Sequence, residues 1–273
     1  MELVVFDLDG TLLNGRSEVS DHTRETLRRL RDRDIAYTVA TGRTLHASLD
    51  LLAGHGFELP HIYKNGVVVW HPQEAAYSHR NLLTNDEIRS VLGAFTAAGV
   101  SPFIFTLDER DYHAVYHPPL RTDAERRLAQ MIARDRGLDV FPVADLPGDV
   151  DITNISALGS PQAIAAVRDS VSAEDHLVAY GGPALEGEQL HWLDVHHSAA
   201  SKGGAIDLIK RDLGVSRVIC FGDSDNDLSM FQVADECYAP SNAKDSIKRA
   251  ATAVIGHHDE EGISEFLRSR FKL

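Results

Sequence analysis

Leu3-Val4-Val5-Phe6-Asp7-Leu8-Asp9-Gly10-Thr11 is the stretch that decides the fold. Its four leading apolar residues, rich in β-branched valine, form neither a helical stripe nor a polar alternation. They read as a strand buried on both faces, the pattern of a parallel sheet. Two carboxylates, a glycine and a hydroxyl follow at once. In open α/β sheets ligands bind beyond the carboxyl ends of the strands, so Asp7 and Asp9 fall where a site belongs.

The same grammar recurs outward from this stretch. Ser20 caps a helix with Leu27 and Leu30 on one face. Residues 35–40 form a second strand, stopped by Thr41-Gly42-Arg43 and followed by a helix through Leu52. Residues 61–63 make a brief third strand, Asn65-Gly66 a turn, and residues 67–70 the strand leaving it. Near Leu82 the pattern changes. Thr84 and Glu87 form a capping box for a helix reaching Ala98. Strands at 103–107 and 112–116 flank an acidic turn, and a charged helix covers 122–136. A strand at 152–158, a helix opened by Ser160-Pro161 and strands at 177–180 and 189–193 complete this stretch. The first grammar returns with a helix from Ser201 to Leu213 and a strand at 218–221 that ends in Gly222-Asp223-Ser224-Asp225-Asn226-Asp227. A short helix, a strand near Cys237 and helices from Ala243 and Glu260 finish the chain. The expectation is an α/β fold: a parallel-sheet core from residues 1–81 and 194–273, interrupted by an α+β domain at 82–193 with an antiparallel sheet.

The 273 residues include 41 Asp plus Glu against 27 Lys plus Arg, a net charge of -14. That excess disfavours nonspecific binding to nucleic acid or to anionic membrane, both of which need a positive surface. Two cysteines, Cys220 and Cys237, make neither a disulfide framework nor a zinc set. No apolar run is long enough to span a bilayer, and no basic segment precedes the first strand, so the cytoplasm is the expected location.

The acidic segments carry the chemistry. If Asp7, Asp9 and Asp223 converge, each close pair of carboxylates repels by about 4 kcal/mol at ~4 Å with an effective dielectric of about 20. Such a cluster needs a cation or a proton. Oxygen ligands select a hard ion, and Mg²⁺ suits one or two carboxylates, waters and a substrate phosphate. With Lys202, the ion would hold an anionic substrate inside an acidic protein. Thr41 and the N–H groups of its turn offer neutral donors to the same phosphate. A carboxylate at position 7 is placed to attack phosphorus, and Asp9 to protonate the leaving alcohol and then activate water.

Asp7-Leu8-Asp9-Gly10-Thr11, Thr41-Gly42-Arg43, Lys202-Gly203 and Gly222-Asp223-Ser224-Asp225-Asn226-Asp227, in this order, resemble the four motifs of the haloacid dehalogenase superfamily. The large insertion before Lys202 resembles the Cof-type sugar-phosphatase subfamily with its C2 cap, and Asn65-Gly66 matches a further turn common there. The resemblance covers the whole chain, the cap by position more than by residues. It implies a Rossmann-like core and a phosphoric monoester hydrolase acting through an aspartyl-phosphate. In that scheme Asp7 is nucleophile and metal ligand. Asp9 is general acid/base and ligates Mg²⁺ through its backbone carbonyl, and Asp223 is a metal ligand. Thr41, Gly42 and Lys202 bind phosphate; Arg43, read from its position alone, either faces the site or pairs with a surface carboxylate. Asn226 contacts phosphate or holds Lys202, and Asp227 either stands behind the metal ligands or partners the metal through water. Pro240-Ser241-Asn242-Ala243 departs from the Met-Gly-Asn-Ala of relatives, which loosens any role for that loop.

In the insertion, Tyr112, His113, Tyr116, His117, Tyr180, His191 and Trp192 are placed to read a substrate, yet aromatic residues in short strands more often serve packing. Residues His196 to Ala200 belong to the returning hinge in this reading, and His196 and His197 with His191 lack the partners of a zinc set. The expected partner is a small phosphate ester, with the chain a monomer or small homo-oligomer. A phosphomutase or phosphotransferase would carry the same motifs. A non-catalytic phosphate-binding protein would have lost Asp7, Lys202 or Asp223, and all three are present.

Overall fold

A computed structural model describes residues 1–135, 138–184 and 189–273. The first segment carries β1 (Glu2–Phe6), α1 (Asp21–Arg31), β2 (Ala36–Val39), α2 (Leu49–Leu52), β3 (His61–Tyr63), β4 (Val68–His71) and β5 (Ala76–Arg80). The middle carries α3 (Asn85–Ala97), β6 (Pro102–Leu107), β7 (His113–His117), α4 (Asp123–Asp135), β8 (Asp139–Pro142), β9 (Asp151–Gly159), α5 (Pro161–Val171), β10 (Leu177–Pro183) and β11 (His191–His197). The last carries α6 (Lys202–Asp212), β12 (Arg217–Phe221), α7 (Leu228–Val233), β13 (Glu236–Pro240), α8 (Asp245–Ala250), β14 (Ala253–Ile255) and α9 (Gly262–Phe271). The chain divides into two units, Met1–His79 with Ala200–Leu273, and Arg80–Ala199.

The first unit is built on a parallel sheet in the order β14-β13-β12-β1-β2. The central strand explains its own position. Leu3 and Val5 enter one apolar cluster with Val218, Cys220, Ile206, Ile209 and Met230. Val4 and Phe6 enter another on the opposite face, with Leu27, Leu30, Ile219, Phe221, Ile263 and Leu267. Each such side chain contributes about 1.5–3 kcal/mol on full burial, so only a two-sided environment suits this run. Register sets the level of the site. Phe6 pairs with Phe221 on one side and with Val39 on the other, so Asp7, Gly222 and Ala40 leave the sheet together. Beyond β2, a parallel bridge joins Ala40 to Ile62, and β3 and β4 form an antiparallel pair.

The second unit has a six-stranded sheet in the order β10-β11-β9-β6-β7-β8. Neighbours run antiparallel except β7 and β8, which are parallel. The Thr84–Glu87 capping box opens α3, and α3 and α5 cover one cluster with Val91, Phe95, Ile164 and Val167. Leu128 and Ile132 of α4 cover a second, around Phe103, Phe105 and Val115. Among the aromatic residues singled out above, His113 and Tyr116 are buried, whereas Tyr112 and Trp192 are exposed.

Several elements differ from expectation. The helix through Leu52 is regular only over Leu49–Leu52, because turns occupy the residues just before it. β5, β8 and β14 were not foreseen; β14 is short and mostly exposed, so it carries no apolar signature. His196 and His197 are the last residues of β11, paired with Val178 and Leu177, while the boundary between the two units falls between Ala199 and Ala200. The expected end of the charged helix at Arg136 lies outside the described residues.

His61 on β3 is buried and hydrogen-bonded at both ring nitrogens, Nδ1 to the Tyr63 hydroxyl at 2.9 Å and Nε2 to the Phe57 carbonyl at 3.2 Å. The neutral ring satisfies both, donating from Nε2 and accepting at Nδ1. Burial pushes its pKa down to about 4, against the opposing pull of the Phe57 carbonyl. A folded-state value below the unfolded one means that the stabilisation is complete above about pH 6.5 and is lost as pH falls toward 4, about 3 kcal/mol in all. We expect the wild type to lose that much more stability than His61→Gln between pH 7 and pH 4, read by denaturant unfolding. Equal losses would show that this histidine does not govern the acid limb.

Candidate active site

The site forms where β1, β2, β3 and β12 end. Asp7 is the first residue past β1, and its N–H donates to the carbonyl of Phe221 at 2.9 Å, which locks the two strand ends together. The chain then makes one wide turn over Leu8–Leu12, with Leu12 N–H on the Asp7 carbonyl at 3.2 Å. Gly10 sits in that turn at φ +71°, and a Cβ there would lie 2.7 Å from Asp223 Oδ2, so both the backbone and the neighbouring carboxylate require glycine. Thr11 Oγ1 donates to Asp223 Oδ1 at 3.3 Å.

Lys202, the first residue of α6, is fully buried and spans the site. Its Nζ donates to Asp7 Oδ1 and to Asp227 Oδ1, each at 2.6 Å. Burial alone would push this ammonium down, but the Asp227 and Asp7 carboxylates more than offset it and the net shift is upward. The second oxygen of Asp227 accepts from the N–H groups of Asp223 and Ser224, at 2.8 and 2.9 Å. The buried Asp227 therefore anchors both the lysine and the loop that carries Asp223.

Carboxylate oxygens of Asp7, Asp223 and Asp227 all lie within 4.8 Å of one another. Burial raises the pKa of Asp7 well above the usual carboxylate range; Lys202 pulls it back, and Asp227 and Asp223 push it further up. Asp223 is raised as well, by burial first and then by Asp227. Three carboxylates against one ammonium leave two negative charges uncompensated, and a hard divalent cation with oxygen ligands fits that deficit. Mg²⁺ is the ion expected from the sequence, with Asp7, Asp9 and Asp223 as its ligands; the carboxylates the structure gathers are those of Asp7, Asp223 and Asp227.

The remaining predicted residues gather around this cluster. Asp9 has a side chain 55% exposed that forms a bidentate pair with Arg43, Nε to Oδ2 at 2.7 Å and Nη2 to Oδ1 at 2.5 Å. That pair raises the Arg43 guanidinium further, chiefly through the hydrogen bond to Asp9. Thr41 is buried, its N–H on the Ile62 carbonyl at 2.9 Å and its hydroxyl accepting from Arg43 N–H at 3.1 Å. Gly42 beside it is exposed. Asn226 does not hold Lys202; its Nδ2 donates to Asn65 Oδ1 at 2.9 Å. Asp225 pairs with Lys244 at 2.8 Å, outside the cluster.

Sequence reasoning gave no role to Asn242, yet its Nδ2 donates to the Gly10 carbonyl at 2.8 Å and its Oδ1 accepts from His258 N–H at 3.1 Å. The departure at Pro240-Ser241 thus leaves the asparagine of that loop in contact with the turn after Asp7. No helix among the described residues is long and apolar enough to cross a membrane.

An Asp7 and Asp223 with raised pKa values destabilise the metal-free protein as pH rises through those values, because each must shed a proton into a negative field. At pH 7 without metal, Asp223→Asn should therefore melt higher than the wild type. Mg²⁺ at 100 times its Kd should raise the wild-type melting temperature on the order of 5–10 °C and leave the variant nearly unchanged. An equal rise in both proteins would remove Asp223 from the metal site.

A family profile described as haloacid dehalogenase-like hydrolase matches residues 4–267. The chain is 27% identical over 282 residues to the 5-amino-6-(5-phospho-D-ribitylamino)uracil phosphatase YitU of Bacillus subtilis strain 168, covering 99% of this chain and 98% of that one. It is 27% identical over 273 residues to the HMP-PP phosphatase of Escherichia fergusonii, covering 97% and 94%. Its fold matches the crystal structure of a haloacid dehalogenase-like hydrolase from Bacteroides thetaiotaomicron with a TM-score of 0.77, at 22% identity and 99% coverage of each chain. With the profile spanning nearly the whole sequence and the four motifs drawn to one sheet edge, this chain belongs to the haloacid dehalogenase-like hydrolase family.

Proposed function

We propose that the protein is a Mg²⁺-dependent phosphatase that hydrolyses small phosphate monoesters, sugar phosphates or phosphorylated cofactors, through an aspartyl-phosphate on Asp7. The observation that carries this reading is the Asp7 carboxylate held by the buried Lys202 ammonium at 2.6 Å, in a cluster that wants a divalent cation. Both phosphatase relatives are named for small organic phosphates, which supports the size class of the substrate.

Asp7 attacks phosphorus; its Oδ–P bond forms as the ester P–O bond breaks, and the departing alkoxide takes a proton from the Asp9 carboxyl group. Asp9, now a carboxylate, accepts a proton from water as that water attacks phosphorus, and the Asp7 carboxylate leaves with orthophosphate as product. Arg43 occupies both carboxylate oxygens of Asp9, and that pair must open before Asp9 can reach the leaving group. Thr41, the Gly42 N–H, Lys202 and Asn226 form the cradle for the phosphate oxygens. Asp7 and Asp223, with the backbone carbonyl of Asp9, would hold Mg²⁺, which when bound neutralises charge on the transferring phosphoryl group.

We assign catalysis to the unit formed by Met1–His79 and Ala200–Leu273 and substrate choice to Arg80–Ala199, where Tyr112 and Trp192 lie open to solvent. The acidic charge disfavours nucleic-acid and anionic-membrane partners, and we place the enzyme in the cytoplasm.

Asp7→Asn keeps the shape of the side chain and removes the nucleophilic charge, so turnover of p-nitrophenyl phosphate with Mg²⁺ should fall by at least about 1,000-fold at unchanged fold. Retained activity would refute covalent catalysis. Asp9→Asn should let a phosphoprotein accumulate, detectable by intact-mass spectrometry during turnover. Turnover that requires a bisphosphate activator would favour a phosphomutase instead.

A further inference from the structure

The turn at Lys64–Gly66 follows β3 and has no role in the chemistry above, yet it touches all the loops that cradle the phosphate. Lys64 N–H donates to the Arg43 carbonyl at 3.0 Å and Asn65 N–H to the Thr41 carbonyl at 2.9 Å, so the turn is stitched along the Thr41–Gly42–Arg43 loop. Asn65 is buried, and its Oδ1 accepts from Asn226 Nδ2 at 2.9 Å. A Cβ on Gly42 would lie 3.2 Å from the same Oδ1, so the amide of Asn65 rests against the backbone of Gly42. Gly66, at φ +98°, lies so close to Ser201 that a Cβ would sit 2.2 Å from its carbonyl oxygen; Ser201 is the N-cap of the helix that begins with Lys202.

One three-residue turn therefore abuts the loop after β2, the start of α6 and the loop after β12. These segments are far apart in sequence, and the sheet fixes only the levels at which its strands end. Something must set the lateral positions of the loop tips, and in phosphoryl transfer an error of about 1 Å in such groups is costly. Asn65 itself is at φ +56°, a left-handed backbone that asparagine tolerates better than most residues. The position thus selects a residue that accepts this backbone and also presents an amide.

We infer that Asn65 is a positioning residue for the phosphate cradle: it aims the Asn226 amide through their shared hydrogen bond, and so sets phosphate affinity without itself reacting. The inference rests on the phosphatase reading above. It also accounts for the pairing of Asn65 with Gly66, since the first supplies the amide and the second the close approach to Ser201.

The test is a mutant cycle with Asn65→Gly, Asn226→Ala and the double variant, assayed with p-nitrophenyl phosphate and Mg²⁺ and by calorimetry with orthophosphate. Glycine accepts the left-handed backbone without strain, so Asn65→Gly removes only the side chain, and its melting temperature is expected within a few degrees of the wild type. KM and the orthophosphate Kd should each rise about 10-fold in Asn65→Gly, with kcat changing less than 3-fold. In the Asn226→Ala background the same change should have little further effect, because the two residues act through one hydrogen bond. Wild-type phosphate affinity in Asn65→Gly, or effects that multiply in the double variant, would overturn the inference while leaving the phosphatase reading intact. A wild type that neither turns over the ester nor binds orthophosphate would remove both.

Discussion

The Lys202 ammonium, buried between Asp7 and Asp227, is the interaction on which the rest of this site is built. A lysine without solvent is costly unless its charge is met, and here two carboxylates meet it at 2.6 Å. Removing one partner of such a buried arrangement typically costs about 3–5 kcal/mol, because the other is left unmatched. The arrangement also transmits order. Asp227 accepts from two backbone N–H groups at the end of β12, so the residue that neutralises the lysine also fixes the loop presenting Asp223.

An acidic protein with an anionic substrate must concentrate positive charge in one place. The buried lysine supplies one such charge, and in the proposed function the carboxylates at the ends of β1 and β12 would hold a second in the form of a divalent cation. Arg43 adds a third but spends it on Asp9 in this conformation. The two carboxylates of the Asp7-Leu8-Asp9 sequence consequently live in different electrostatic worlds. One is buried among like charges; the other is solvated and paired with a guanidinium. The proposed division of labour between a nucleophile and an acid/base rests on that difference in environment, since the two side chains are chemically the same.

Around the reacting groups, uncharged amides do the mechanical work. Asn65 links the loop after β2 to the loop after β12, and Asn242 links the turn after β1 to the residues before α9. Amides suit these places because they donate and accept without adding charge to a cluster already short of cations. The Pro240-Ser241 departure is tolerated for the same reason, as the contact to the Gly10 carbonyl is made by the asparagine.

The sequence by itself determined the class of fold and the neighbourhood of the site. The run Leu3-Val4-Val5-Phe6 has only one stable environment, and the polar residues closing it, and closing the strands that end before Thr41 and Asp223, mark one edge of one sheet. The four motifs in order were legible because each sits at a strand end or helix start, where local signals are strong. Short exposed strands such as β14 were not legible, since pairing and not composition creates them. Nor could spacing tell that Asn226 reaches Asn65, 161 residues away, or that Asp227 and not Asn226 anchors Lys202. The tertiary structure decided those partnerships and the burial of each carboxylate, because charge regulation and hydrogen-bond geometry act over a few ångströms of space and have no counterpart in distance along the chain.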